Sequence, residues 1–279
     1  MKTISEIEIT EAVRKLCLEA NLNLPQDVRD ALRTARENEP WMPAKENLCL
    51  LEENLRIADE KQVPLCQDTG AVCVFAEIGN EVHINGDFAR AVNQGVREAY
   101  GEGFFRKSIV ADPIRRGNTE DNTPAFITYE LTVGDELKLT VMPKGFGSEN
   151  MSRIAMLKPA DGEQGVIDFV VETVRLAGSN PCPPIIVGVG IGGSFDKAPY
   201  LAKKALMRPV NTANADEYYA RLEAHLKEEI NRTGLGPEGF GGLTTCLGVL
   251  IETMPTHVAG MPVAVNISCH ATRRASLTL

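Results

Sequence analysis

A short loop at residues 64–70, with the sequence Pro-Leu-Cys-Gln-Asp-Thr-Gly, combines several side chains that can do chemistry. The thiol of Cys66 can bind a metal, the carboxylate of Asp68 can carry a proton, and the amide of Gln67 can hydrogen bond to either. The loop lies between a helical pattern and an apolar, strand-like run, and functional groups are often held on loops at such element ends. A turn around a buried cysteine explains the loop equally well, so the rest of the chain must decide.

Two further cysteines lie on segments unlike the protein core. Cys182 is flanked by Pro181 and Pro183, which keep it on a rigid, non-helical loop, and Cys269 lies in a polar segment close to the end of the sequence. The other four occupy apolar stripes or strands: Cys17, Cys49, Cys73 and Cys246. The odd total and the missing secretory signal argue against a disulfide framework, and no C-x-x-C pair indicates a zinc finger. Separated cysteines can still meet around an iron–sulfur cluster, which sequence spacing alone leaves open.

Three other segments could bind an anion. Arg106 begins a long polar stretch that could hold a carboxylate, and long ordered loops are often functional. Gly145 and Gly147 belong to a glycine-rich turn after a strand, which can present backbone N–H groups to an anion. Residues 188–193 match the dinucleotide-binding pattern G-x-G-x-x-G, but no clean βαβ unit follows, and the acidic residues about 20 positions on fall in a helix. Close backbone packing or an anion-binding turn is therefore the favoured interpretation of these glycines.

Composition narrows the class of partner. The 279 residues include 29 Lys and Arg against 38 Asp and Glu, a formal net charge of −9, without a basic block. This balance argues against nucleic acid as a partner, although a few local Arg or Lys can bind an anionic substrate. No apolar run resembles a signal peptide or a membrane span, so we expect a cytoplasmic protein with no membrane partner.

The hydrophobic pattern predicts the elements that position these groups. Residues 1–60 are predicted to be helical, because their apolar residues follow a helical stripe. Residues 125–133 and 136–141 are predicted to pair as an antiparallel hairpin across Gly134 and Asp135. Further strands are predicted at 71–78 and 262–267. Further helices are predicted at 163–177 and at 88–101, and Asp87 is the predicted N-cap of the latter. The fold class is therefore α/β (mixed α+β), a sheet with an antiparallel hairpin flanked by helices, in one domain over residues 1–279.

Several segments of the chain form an ordered set: residues 64–70, Arg106-Lys107-Ser108, Asp121-Asn122-Thr123-Pro124, residues 144–150, Cys182-Pro183-Pro184, residues 188–193, His257 and residues 266–275. Together they resemble the class I iron–sulfur fumarase and tartrate dehydratase family, and in particular the α subunits of its two-chain members. They follow the family's order from around residue 60 to the end of the chain. One such motif is weak evidence, whereas the ordered set is specific.

The resemblance implies a [4Fe–4S] cluster bound by three thiolates, at the positions of Cys66, Cys182 and Cys269. Three protein ligands would leave one iron open to act as a Lewis acid on a substrate hydroxyl. The terminal residues that match the family motif are interpreted as support for the cluster or for a subunit interface: His270, Arg273 and Arg274.

The resemblance also implies an acid–base pair, Asp68 and His257, near the hydroxyl that leaves the substrate. The expected substrate is a short dicarboxylate, and its carboxylate would be held by bidentate hydrogen bonds from Arg106. The residues expected to assist are Gln67, Gly145 and Gly147.

The expected function is reversible hydration of fumarate to L-malate, with L(+)-tartrate dehydratase, which converts tartrate to oxaloacetate, as the alternative. The second domain of single-chain members is absent here, which implies a separate β subunit, in an α2β2 assembly. Two readings of other classes remain open: a nucleotide-binding oxidoreductase that uses residues 188–193, and a non-catalytic iron–sulfur scaffold.

Overall fold

A computed structural model describes all of residues 1–279, and the chain forms two compact units. Unit 1 comprises Met1–Pro25, Asn54–Phe146 and Arg273–Leu279, and unit 2 comprises Gln26–Glu53 and Gly147–Thr272. Each unit has its own sheet and its own hydrophobic core. The single domain expected from the sequence stays a prediction.

Helices and strands are interspersed along the chain, which confirms the predicted mixed α and β class. The strands are β1 (Lys2–Ser5), β2 (Ala71–Gly79), β3 (Val82–Asn85), β4 (Phe126–Thr132), β5 (Leu137–Lys144), β6 (Arg153–Leu157), β7 (Ile185–Gly192), β8 (Cys246–Met254), β9 (Met261–Ser268) and β10 (Ala275–Thr278). The helices are α1 (Glu6–Leu22), α2 (Gln26–Asn38), α3 (Met42–Lys61), α4 (Phe88–Glu102), α5 (Phe146–Glu149), α6 (Gly162–Ala177), α7 (Lys197–Ala205) and α8 (Glu217–Asn231). None of the helices combines the length and the apolar character that a membrane crossing requires.

Unit 1 contains a four-stranded sheet in the order β10-β5-β2-β4. The central strand β2 runs antiparallel to β5 and parallel to β4, so Val74 lies opposite Val141 on one side and Ile127 on the other. Six consecutive residues at the start of β2 are buried, which is typical of a strand with neighbours on both sides.

The predicted hairpin between residues 125–133 and 136–141 is wrong in its pairing. Both segments are strands, but β2 lies between them. The connecting turn passes over the end of β2, where Gly79 N donates to the carbonyl of Glu136 at 2.9 Å. A hairpin would leave one edge of the buried strand β2 without hydrogen-bond partners, and this tertiary demand overrides the short turn.

The N-terminal region also differs from an all-helical segment, because β1 precedes α1 and pairs in parallel with β3. The helix α1 then begins with a capping box, in which Ser5 Oγ accepts from Glu8 N and the Glu8 carboxylate accepts from Ser5 N. Its predicted apolar stripe is buried in the core of unit 1, and Cys17 on that stripe is fully buried. The cap residue Asp87 likewise starts α4 as predicted, by accepting from Arg90 N at 3.0 Å.

Unit 2 contains a second four-stranded sheet, in the order β6-β9-β7-β8. Its two inner strands are rich in Val and Ile because helices cover them: α6 and α8 pack in one core with β7, β8 and β9, and α7 packs against β7. The predicted strand at 262–267 and helix at 163–177 correspond to β9 and α6. Cys246 is fully buried at the start of β8, whereas Cys49 lies exposed on α3, contrary to its apolar setting in the sequence.

The glycines of residues 188–193 lie within and just after β7. A Cβ atom on Gly188 or Gly190 would come within 2.1 Å of a carbonyl oxygen of α7, so these two glycines let the helix lie directly on the strand. Gly192 has a φ of +93°, and its Cβ would meet the carbonyl of Met254 at 2.0 Å. Backbone packing therefore accounts for this pattern, which is the interpretation favoured from the sequence.

Candidate functional site

The carboxylate of Asp68 is fixed by hydrogen bonds to both of its oxygens within unit 1. Oδ1 accepts from Gly70 N and Oδ2 accepts from Phe146 N, each at 3.0 Å. The side chain is half-buried, and each carboxylate oxygen can accept a further hydrogen bond. The predicted proton carrier is thus held in one orientation before any substrate binds.

The buried hydroxyl of Tyr100 holds the 64–70 loop from the core side of unit 1. Tyr100 on α4 is fully buried, and its hydroxyl donates to the carbonyls of Thr69 at 2.5 Å and Gly70 at 3.1 Å. Burial raises the pKa of Tyr100, so the hydroxyl keeps its proton and remains a donor. The sequence offered no signal for this role, because an aromatic residue on a helix stripe is typical of the core.

Asn122 joins three of the predicted segments in unit 1. Its fully buried side chain donates from Nδ2 to the carbonyl of Gly70 at 3.1 Å and accepts at Oδ1 from Ser108 N at 2.7 Å. Thr69 Oγ1 adds a bond to the carbonyl of Arg106 at 3.0 Å. These bonds bring the Asp-Asn-Thr-Pro and Arg-Lys-Ser segments against the 64–70 loop, and the Arg106 side chain is exposed beside it.

The thiol of Cys66 accepts a hydrogen bond from Asp68 N at 3.4 Å and lies 3.5 Å from Gln67 Oε1. Backbone N–H groups directed at a cysteine sulfur are typical of iron–sulfur ligands, whose sulfurs they stabilise. Gln67 is exposed and Cys66 is partly exposed. The metal-ligand and acid–base candidates of this loop are therefore adjacent.

Arg273 approaches the same loop from the C-terminal segment of unit 1. It is 2% exposed, and its Nη2 donates to the carbonyl of Asp68 at 2.7 Å. The other guanidinium nitrogens, Nε and Nη1, are buried without a hydrogen-bond partner. An orphaned buried cation at this position fits an anionic group beside the loop.

In unit 2, Cys182 is exposed in a conformation that is unusual for a residue with a side chain. Its φ is +53°, in the left-handed region, and its N–H donates to the carbonyl of Ser179 at 3.1 Å. Strained residues of this kind cluster at functional sites. The flanking prolines predicted a rigid loop but not this conformation.

Cys182 and Cys269 are brought together through the backbone of unit 2. Cys269 follows directly after β9, and the next residue, His270, donates from its N–H to the carbonyl of Cys182 at 3.3 Å. Glu238, on a third loop, contacts the neighbours of both cysteines. Its N–H donates to the carbonyl of Pro183 at 2.7 Å, and its Oε1 lies 3.5 Å from His270 Nε2. Partial burial raises the pKa of the Glu238 carboxyl.

Glu238 was missed in the sequence because it lies in a glycine-rich loop with no recognisable pattern. Its φ of +53° places it, like Cys182, in the left-handed region.

All seven cysteines are thiols. Within either unit, no group of three or more His, Cys, Asp or Glu side chains lies close enough to form a metal site. Of the three cysteines predicted as ligands, Cys66 lies in unit 1, and Cys182 and Cys269 lie in unit 2.

His257 lies on an exposed turn between β8 and β9. Its Nδ1 accepts a hydrogen bond from Ala259 N at 3.1 Å, so the neutral imidazole carries its proton on Nε2. The preceding Thr256 donates from Oγ1 to the carbonyl of Gly193 at 2.9 Å, which fastens the turn to the end of the glycine pattern. Thr256 gave no signal in the sequence.

The glycine-rich turn after β5 differs from the prediction in one respect. Gly145 belongs to unit 1 and Gly147 to unit 2. A Cβ on Gly145 would come within 3.2 Å of Asp68 Oδ2, so the absence of a side chain makes room for the carboxylate. The N–H of Phe146, between the two glycines, already donates to Asp68.

The ordered segments have a counterpart in a known family. The family model described as fumarate hydratase (Fumerase) matches residues 10–278, almost the whole chain. The chain belongs to the class I fumarase and tartrate dehydratase family. It corresponds to an α subunit of that family and is a hydro-lyase chain, as the sequence predicts.

Relatives within the family carry the name of one activity. A Methanocaldococcus jannaschii protein, provisionally named L(+)-tartrate dehydratase subunit alpha, is 42% identical over 276 residues, which cover 96% of each chain. The L(+)-tartrate dehydratase subunit alpha of Escherichia coli strain UTI89 is 31% identical over 273 residues, 97% of this chain and 90% of the relative. The protein of the same name from Escherichia coli strain K12 is also 31% identical over that length.

Proposed function

We propose that this chain is the α subunit of a [4Fe–4S]-dependent hydro-lyase that removes water from a short hydroxydicarboxylate. The observation that carries the proposal is the Asp68 carboxylate, held at both oxygens, on a residue whose backbone N–H donates to the Cys66 thiol. Dehydration requires a group that gives a proton to the leaving hydroxyl and a second group that takes a proton from the neighbouring carbon. A fixed carboxylate next to a metal-ligating thiol suits the first task.

We propose Cys66, Cys182 and Cys269 as the three thiolate ligands. The donor set fits the cluster chemically, because thiolates are its usual ligands, the Cys66 sulfur already accepts an N–H bond, and the orphaned Arg273 supplies a positive charge. The bound cluster would supply Lewis-acid polarisation of the substrate hydroxyl.

The remaining roles fall to side chains of the chain itself. Asp68 holds the proton that goes to the leaving hydroxyl, and His257 shares that proton through Nε2. Arg106 binds a substrate carboxylate by paired hydrogen bonds. Gln67 assists at the hydroxyl side, and the backbones of Gly145 and Gly147 line the substrate.

L(+)-tartrate is the substrate that we propose first, although the sequence alone favoured fumarate. The reason is the name shared by the relatives, of which one is 42% identical over 96% of this chain. Loss of water from tartrate gives the enol of oxaloacetate, which then takes up its proton at carbon. Fumarate hydration to L-malate is the second candidate, because the matching family model is described as fumarate hydratase.

We also propose a separate β subunit, in an α2β2 assembly, because the relatives are named as α subunits. The β subunit would carry the carbon-side base and further cationic groups for the substrate. This chain alone should then bind iron and sulfide without turning over substrate.

The test is an anaerobic assay of the co-expressed α and β chains, with L(+)-tartrate and fumarate side by side. We expect a brown complex that dehydrates L(+)-tartrate faster than it hydrates fumarate. Cys182→Ser should abolish both colour and activity, whereas Cys49→Ser, which changes an exposed thiol on α3, should retain them. A colourless, active complex would contradict the cofactor, and a clear preference for fumarate would reverse the order of substrates.

A further inference from the structure

Arg273 is the most unusual buried charge in unit 1. Only 2% of the residue is exposed, and a single nitrogen, Nη2, has a partner, the carbonyl of Asp68 at 2.7 Å. Nε and Nη1 are buried and donate to nothing. Buried polar groups are almost always hydrogen bonded, so two orphaned donors on one cation need an explanation.

No ion pair neutralises this guanidinium. The nearby carboxylate of Asp68 receives its bonds from Gly70 N and Phe146 N instead. Tyr100 is also close but uncharged, because burial raises the pKa of its hydroxyl, and the charge of Arg273 opposes that rise only in part. A guanidinium does not lose its proton in proteins, so burial cannot remove the charge. Charges in a protein interior are costly unless they are paired.

We infer that Arg273 is a built-in binding group for an anion, with Nε and Nη1 as donors to an acceptor that binds against the 64–70 loop. The inference rests on the proposed function and deepens it. Two anions in that function share the chemistry of a concentrated negative charge that accepts N–H bonds: the thiolate-ligated cluster and the substrate carboxylate. Arg273 is then a positioning residue, which holds the backbone of Asp68 on one side and the anion on the other.

The experiment compares melting temperatures of the full-length wild type, Arg273→Met and Arg273→Lys under anaerobic conditions. Each protein is measured free of iron, after reconstitution with iron and sulfide, and free of iron with added L(+)-tartrate or fumarate. A ligand that binds the folded state raises the melting temperature, so the increment reports the interaction with each anion. We expect Arg273→Met to lose most of the wild-type increment in at least one arm, and Arg273→Lys to keep part of it.

The arm that loses its increment identifies the anion. A loss after reconstitution assigns the cluster, and iron release to a chelator should then be about tenfold to a hundredfold faster, as expected for a lost charge-assisted hydrogen bond. A loss with the dicarboxylate alone assigns the substrate. If reconstitution does not raise the melting temperature of the wild type, the proposed cofactor is wrong. The comparison with added dicarboxylate then still decides the role of Arg273.

The iron-free state separates this role from a structural one. Arg273→Met removes an unpaired buried charge but also the bond from Nη2 to the carbonyl of Asp68, so its iron-free melting temperature should stay close to that of the wild type. The matched control is Arg14→Met, which removes an arginine paired with Glu102 at the surface of unit 1 and should keep every increment. Full increments in both arms for Arg273→Met would overturn the inference, and a lower iron-free melting temperature in that case would assign Arg273 a structural role.

Discussion

The two proposed acid–base groups are supported in opposite ways. Asp68 in unit 1 is half-buried, accepts two backbone hydrogen bonds, and stands on a loop that Tyr100 and Asn122 hold from inside the core. His257 in unit 2 lies on an exposed turn, oriented by Ala259 N. The carboxylate is thus held by buried groups of unit 1, whereas the imidazole lies on the surface of unit 2.

The two groups should therefore respond differently to substitutions in the residues that hold them. A substitution in a residue that holds the loop of Asp68 should lower both stability and activity, because the same buried hydrogen bonds support both. A substitution in a residue that holds the turn of His257 should lower activity with little effect on stability, because exposed turns contribute few buried contacts.

Asp68→Asn should reduce the turnover of the α and β complex by about a hundredfold to ten-thousandfold, the usual loss for a missing proton carrier. The amide has nearly the same shape but only one acceptor atom, so one of the two bonds from Gly70 N and Phe146 N is lost. Stability should therefore fall by about 1–3 kcal/mol, while iron content should change little. Steady-state assays with iron analysis test this outcome. Asp135→Asn, in the exposed turn between β4 and β5, is the matched control and should be fully active. Near-normal turnover in Asp68→Asn would remove Asp68 from the proposed chemistry.

Gly70→Ala should destabilise the protein strongly. Gly70 has a φ of +78°, and a Cβ would lie 2.8 Å from the backbone of Lys144. The backbone conformation alone costs about 1–3 kcal/mol for a residue with a side chain, and the close contact adds to it. Thermal or urea unfolding measures the change. Gly117→Ala, where nothing lies within 4 Å, should be neutral, and equal stability of the two variants would contradict the described contact.

Tyr100→Phe should lower stability by about 1–2 kcal/mol, because the Thr69 carbonyl loses the shared hydroxyl proton and the Gly70 carbonyl keeps only the bond from Asn122. Turnover should fall as well, since the 64–70 loop loosens around Asp68. Urea unfolding and a kinetic assay on the same preparation check both effects. Tyr218→Phe removes a hydroxyl that binds Glu163 at the surface and serves as the control. A stability loss without any loss of turnover would show that the loop is held by other bonds.

Thr256→Val should produce the smallest effect, a decrease in turnover of about two- to tenfold with unchanged stability and an unchanged Michaelis constant. The variant loses the bond to Gly193 that fastens the turn of His257. Thr256→Ser should restore turnover because it keeps the hydroxyl. Thr212→Val, which removes a comparable bond to the carbonyl of Pro209, should have no effect. A large stability loss in Thr256→Val would erase the contrast between the two units.

Sequence reasoning was most effective where chemistry and local structure coincide. The ordered segments identified the family, and Asp87 predicted the start of α4, since an N-cap is a local interaction. It failed for the hairpin, because pairing depends on β2, which is distant along the chain. It also missed Glu238, whose contacts to Pro183 and His270 join loops far apart in sequence.

Residue types, their order and their periodicity are sufficient to identify the family, the mixed fold class, the helical stripes and the candidate thiols. Only the folded chain shows that β2 separates β4 from β5, that Tyr100 and Asn122 lie beneath the 64–70 loop, and that Arg273 is buried against Asp68. These outcomes depend on contacts between distant segments, which form only when the whole chain satisfies its buried hydrogen bonds and charges together.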